Sequence, residues 1–103
     1  MDLRDTFKYL VGAYYGVREV DEYTTKEYIL KDIEEYIKDF ISSNPIDDFN
    51  YEEEARILED ELSLKTKLQD SLIVLPKVNA PMEIILLVKK RLVRIREEEL
   101  EEM

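Results

Sequence analysis

TTKEYILKDIEEYIKDFISSNP, residues 24–45, carries the clearest helical pattern of the chain. Its apolar residues recur with the 3.6-residue period of an α-helix. Thr24 and Glu27 have the spacing of a capping box, which starts a helix. Pro45 disfavours an α conformation at Asn44, so the predicted helix ends there. The residues of the apolar stripe are Ile29, Ile33, Tyr36, Ile37 and Phe40.

The segment before this stretch predicts a helix of roughly residues 2–15. Gly16 is interpreted as its C-terminal stop, because glycine is common just after the last helical residue. Gly12 and Gly16 also have the small-x-x-x-small spacing that lets another helix approach closely. We prefer the helix stop of these two interpretations. The apolar stripe is formed by Leu3, Phe7, Leu10, Val11 and Tyr14.

A third helix is predicted from Asn50, which can cap it, to about residue 71. The three glutamates that follow Tyr51 are favourable at the positive N-terminal end of a helix. Residues 46–49 before it are predicted to form a loop. The apolar run at residues 72–75 ends at Pro76, and periodicity does not separate a buried helix end from a short strand there. Residues 72–78 are therefore left open between helix and strand.

The last helix is predicted to begin at Asn79-Ala80-Pro81, since proline is well tolerated at the first helical positions. No helix breaker follows before Met103. Five apolar residues share one stripe, but Leu86, Leu87 and Val93 lie outside it. The first half is therefore apolar nearly all round, which indicates either a central core helix or a helix shared between protein chains. The stripe consists of Ile84, Ile85, Val88, Leu92 and Ile95.

The composition predicts one helical domain spanning residues 1–103, with a charged helical end at about 97–103. Of the 103 residues, 45% are apolar and 39% are charged, and Gly and Pro together number only five, which suits long charged helices. We predict an all-α fold, a compact bundle of about four helices. Abundant Glu, Lys, Ile and Leu without His or Cys is typical of thermophile proteins, and the default location is the cytoplasm.

Several classes of chemistry lack their usual residues. Without Cys there is no thiolate nucleophile or zinc-thiolate site, and without His there is no imidazole base or metal ligand. No glycine-rich phosphate loop is present. Asp47 and Asp48, near residues 52–54, offer carboxylates for a hard cation, but the spacing of a calcium loop is missing and a solvated loop is preferred. We predict no catalytic residue, no cofactor, no metal and no enzyme activity.

The ends and the apolar runs give no membrane signal. The longest uninterrupted apolar run is residues 84–88, far short of the roughly 20 residues needed to cross a bilayer. Residues 1–10 are charged and do not resemble a signal peptide. We therefore predict no membrane association.

Charge is distributed unevenly along the chain. Residues 19–61 contain 16 acids and 4 bases, whereas residues 62–96 contain 2 acids and 8 bases, in a chain of net charge −10. The last helix repeats this contrast over a short distance, since KKRLVRIR at 89–96 holds five cations and EEELEE at 97–102 holds five acids. The cations surround the apolar stripe, and such side chains can extend over a hydrophobic seam.

These features predict a non-catalytic protein–protein interaction module, either a small accessory or adaptor subunit or a homo-oligomer. The last helix is the predicted partner surface: its apolar stripe forms the seam, while Lys90, Arg91 and Arg94 orient an acidic partner. One alternative is an accessory subunit of a nucleic-acid-processing complex that contacts phosphates through residues 89–96. Another is an acidic mimic of nucleic acid that uses the carboxylates of residues 47–61. The predicted partner-binding residues are Ile84, Ile85, Val88, Lys90, Arg91, Leu92, Arg94 and Ile95.

Overall fold

The computed structural model describes residues 2–23 and 25–102. This part of the chain forms five α-helices and no strand, so the all-α prediction is confirmed, with five helices instead of about four. A short 3₁₀ turn, Leu75–Val78, follows the fourth helix. The helices are α1 Leu3–Arg18, α2 Lys26–Ser43, α3 Tyr51–Glu61, α4 Leu64–Val74 and α5 Met82–Glu101.

Helix α1 lies at the centre of the fold. It packs against α2, α3 and, most extensively, α4. Its apolar residues point in several directions, so that Leu10, Ala13 and Val17 enter the main core while Phe7 and Val11 enter a second core beneath α3. A helix that is apolar on more than one side is expected to be surrounded by other elements.

Glycines set the close contact between α1 and α4. A Cβ atom on Gly16 would collide with the Ser71 hydroxyl and the backbone of Lys67, lying 2.7 Å from the Lys67 carbonyl carbon. The buried Ser71 hydroxyl lies 3.1 Å from the Ala13 carbonyl oxygen, to which it can donate a hydrogen bond. The preferred interpretation of Gly16 as a helix stop is wrong, since α1 continues to Arg18. Close helix approach, the alternative, is what the structure shows.

The prediction of one helix from Asn50 to about residue 71 is also wrong, because the chain breaks at Leu62. Leu62 has extended backbone angles, φ −76° and ψ 133°. Ser63 then starts α4, its side-chain oxygen accepting a hydrogen bond from the Thr66 amide at 3.1 Å. This cap satisfies one of the free amides at the start of a helix. Residues 72–78, left open between helix and strand, are helical, first as α4 and then as the 3₁₀ turn.

The other helix ends follow local signals. The predicted Asn50 cap is confirmed, its side chain accepting from the Glu53 amide at 3.2 Å. Helix α2 ends at Ser43, before Asn44 and Pro45, as predicted. The predicted capping box depends on Thr24, which lies outside the described residues. Helix α5 begins at Met82, directly after Pro81.

Candidate protein-binding surface on α5

Helix α5 is an edge helix that packs chiefly on α4. Ile84 and Val88 are 0% exposed and belong to the main core. Ile85, Leu92 and Ile95 are half-buried and pack against the same core. The apolar seam expected from the sequence is therefore covered largely by the chain itself.

This placement changes which residues a partner would contact. Ile84 and Val88, predicted as partner-binding residues, offer no surface because α5 uses them to attach to the rest of the fold. Lys90 and Arg94 are exposed. A partner surface on α5 stays a prediction, and its apolar part has to come from the other side of the helix.

That other side carries a second apolar stripe. Leu86 and Val93 are each 56% exposed and Leu100 is 62% exposed. They stand seven residues apart, close to two helical turns, so they lie above one another on one face. At 100° per residue this face points away from Ile84 and Val88. We call it the outer stripe, and with the exposed Met82 its members are Met82, Leu86, Val93 and Leu100.

The cations of residues 89–96 fall into two groups. Arg91 donates a hydrogen bond to the Glu19 carbonyl oxygen and so joins α5 to the end of α1. The other four form no ion pair with any acid among the described residues. By helical position Lys90 and Arg94 lie on one side of the outer stripe, and Lys89 and Arg96 lie on the other. Along residues 89–96 the outer stripe is therefore bordered by positive charge on both sides.

A shallow groove of about 470 Å³ runs between α4 and α5 beside the outer stripe. Leu92, Val93 and Leu100 form its apolar part, and Lys65 of α4 closes it by an ion pair to Glu99 at 3.2 Å. The remaining lining residues are Gln69 and Arg96. Sequence reasoning placed Leu86 and Val93 outside the main stripe but missed that Leu100 continues them, a signal visible in the spacing of seven.

Asp70 is the one carboxyl group among the described residues with a strongly shifted pKa. Burial raises the pKa of Asp70 from 3.8 to about 6, because the charged form loses solvation. Its side chain lies against Gly12 of α1. A single desolvated carboxyl at a helix contact predicts a pH effect on stability, and it does not by itself form a catalytic site.

The acidic segment at residues 47–61 is mostly exposed. One of its carboxylates is taken by the fold, since Glu59 forms an ion pair with Arg18 at 2.7 Å. Within residues 2–23 and 25–102, no three Asp or Glu side chains are grouped closely enough to bind a metal ion. In the same part of the chain, none of the helices combines the length and apolarity needed to span a membrane.

Neither a protein-family model, nor a curated protein, nor a solved structure matches this chain.

Proposed function

We propose that this chain is a non-catalytic protein-binding module, a small accessory subunit or homo-oligomer that binds through the outer face of α5. The observation that carries the proposal is the outer stripe, a row of exposed apolar side chains flanked by four cations that have no acidic partner among the described residues. Apolar area supplies affinity when it is removed from water, and flanking charges select and orient the partner. The chemistry of the surface fits an amphipathic helix whose apolar stripe is bordered by acids.

A nucleic-acid partner is the second candidate, because four free cations on one helix can also neutralise phosphates. Two features favour a protein instead. The cations are separated by an apolar stripe, which a phosphate backbone would leave exposed to water. The chain also has a net charge of −10, which repels nucleic acid at a distance. The cytoplasmic location expected from the sequence stays a prediction.

The proposal is tested with synthetic amphipathic peptides that carry Leu every seven residues. One peptide has Glu beside the apolar stripe and its control has Lys there, while length and apolar content are the same. We expect the chain to bind the Glu peptide, and to bind it more weakly as salt rises, since exposed charges are screened. Isothermal titration calorimetry measures both affinities. Equal affinity for the two peptides, or binding of neither, contradicts the proposal.

The nucleic-acid alternative is tested by fluorescence anisotropy with labelled single- and double-stranded DNA and RNA over a salt series. The variant Lys90→Gln with Arg94→Gln removes two free cations of α5. The matched control, Lys31→Gln with Lys38→Gln, removes two exposed cations of α2. We expect no binding near physiological salt. Salt-steep binding that is lost in the α5 variant and kept in the α2 variant would establish the second candidate instead.

A further inference from the structure

Helix α5 carries its charges in two blocks, and this order along the helix restricts which partner fits it. Five cations occupy residues 89–96 and five acids occupy residues 97–102. A second α5 lying parallel would place cations beside cations and acids beside acids. Lying antiparallel, it places the basic block of each copy beside the acidic block of the other. Charges that border an apolar seam set helix orientation in this way.

We propose that the outer stripe binds the outer stripe of a second copy of this chain, with the two α5 helices antiparallel and Val93 of each against Leu100 of the other. This inference rests on the proposed function and identifies its partner. The two-fold axis passes beside the boundary between Arg96 and Glu97, where the blocks meet. Such a contact uses the same surface on both copies and closes as a dimer.

On the edge of α5 that carries Lys90 and Arg94, the charges of the two antiparallel copies are complementary. Glu97 and Glu101 follow on the same edge, at the helical positions expected from 100° per residue. In the antiparallel register, Arg94 of one copy lies within about one turn of Glu97 and Glu101 of the other, and Lys90 lies near that Glu101. Lys90 and Arg94 form no ion pair with the described residues of their own chain. The second copy supplies the acids they lack.

The groove between α4 and α5 agrees with the same register. Two of its three apolar residues, Val93 and Leu100, are the ones that meet their counterparts across the axis. The two helices, each ending at Glu101, overlap over residues 92–101, or roughly 15 Å of helix at about 1.5 Å per residue. This is a small contact for a protein interface, so we expect a weak, reversible dimer in the micromolar range. Leu86, although on the same stripe, lies outside the overlap.

Sedimentation equilibrium of the full chain over a concentration series measures the pairing. We expect the mass to rise from 12.3 kDa towards twice that value. Val93→Glu places a charge in the overlap and should keep the chain at 12.3 kDa. Leu86→Glu makes the same change at an equally exposed position outside the overlap and should leave the dimer intact. Circular dichroism of both variants shows that each keeps its helices.

The relative orientation of the two α5 helices is measured by disulfide cross-linking. Because the chain has no Cys, every disulfide must form between the introduced cysteines. Val93→Cys and Leu100→Cys variants are mixed and oxidised at concentrations where the dimer is populated. Antiparallel pairing gives a disulfide between the two different variants. It gives little with either variant alone, because equivalent residues lie about 10 Å apart along the axis, beyond the reach of a disulfide. Parallel pairing would give the opposite result.

Charge reversal tests the ionic part of the contact. Arg94→Glu should weaken the dimer at low salt, and adding Glu97→Arg to that variant should restore part of it, because the pair is remade across the axis.

Three results would overturn the inference: a mass of 12.3 kDa at every concentration, loss of the dimer in Leu86→Glu, or cross-linking of single variants alone. Any of these results leaves the proposed function standing if the Glu peptide still binds. Failure of the peptide to bind instead removes the proposed function itself.

Discussion

Helices α1 and α5 both carry apolar residues on more than one side, yet the fold treats them differently. α1 is surrounded by α2, α3 and α4, and its apolar residues lie almost entirely inside. α5 packs chiefly on α4 and leaves an apolar stripe 56–62% exposed. An apolar pattern therefore identifies surface that requires a partner, and neighbouring helices decide whether that partner is within the same chain.

The largest expected effect compares the two sides of α5. Ile84→Ala removes a fully buried side chain and should lower the free energy of unfolding by about 2–5 kcal/mol. Leu86→Ala removes a side chain that is 56% exposed and should cost no more than about 0.5 kcal/mol. Urea unfolding at low protein concentration, where self-association does not contribute, measures both. Equal costs would mean that α5 does not have one buried and one exposed side.

The next prediction concerns the close approach of α1 and α4. Gly16→Ala should destabilise the fold by about 1–3 kcal/mol, because the added methyl group meets the Lys67 backbone, which cannot move alone.

Gly12→Ala is the matched control. Its methyl group meets the end of the Asp70 side chain, which can turn away, and alanine gains up to about 1 kcal/mol in helix propensity. Thermal unfolding followed by circular dichroism should rank Gly12→Ala above Gly16→Ala in stability. The reverse order would contradict the glycine contact.

Asp70 gives a pH-dependent test of the same contact. Burial raises the pKa of Asp70 to about 6 from 3.8, so between these values the folded chain binds a proton that the unfolded chain does not. Protonation of Asp70 therefore favours the folded state. This contribution to the free energy of unfolding is fully present below pH 3.8 and is lost as the pH rises through about 6.

Asp70→Asn should therefore be more stable than the parent by on the order of 1 kcal/mol at pH 7, a value discounted for partial solvation. The two proteins should be equally stable below pH 4, as measured by urea unfolding across pH. A gain of equal size at both pH values would rule out titration of Asp70 as its cause.

The smallest expected effect is at the exposed edge of α1, where Arg18 pairs with Glu59 of α3 at 2.7 Å. Both side chains are well exposed, and such pairs contribute about 0.2–1 kcal/mol. A double-mutant cycle with Arg18→Gln and Glu59→Gln isolates the coupling, which should fall in high salt. Coupling above this range, or coupling unchanged by salt, would contradict the description of this ion pair as an exposed, screened contact.

The sequence alone predicted the helices and their ends correctly where the local apolar pattern and the local capping chemistry agree. The 3.6-residue period of α2, the Asn50 cap and the stop before Pro45 are all short-range signals, and the structure confirms them. The prediction from sequence failed where a residue distant in the chain determines whether a helix continues. Gly16 looks like a helix stop by itself, and it becomes an interior helix residue because α4 packs against it.

The α5 surface illustrates the same limit. Periodicity placed one apolar stripe on this helix and left Leu86, Leu87 and Val93 outside it, but it could not tell which side α4 covers. The fold buries Ile84 and Val88 and exposes Leu86 and Val93, so the side first assigned to a partner is the inner one. Likewise, the pattern predicted a single helix from Asn50 to about residue 71 and missed the break at Leu62, after which Ser63 caps a new helix.

The contact between α1 and α4 also governs the order in which the chain can fold. The Ser71 hydroxyl and the Ala13 carbonyl are 58 positions apart in sequence, so this interface closes a long loop whose entropic cost precedes any gain from packing. During synthesis from the N-terminus, α1 emerges long before its principal partner. Until residues 64–74 leave the ribosome, the apolar surface of α1 has only α2 and α3 to shield it, which makes this interval the most exposed to aggregation.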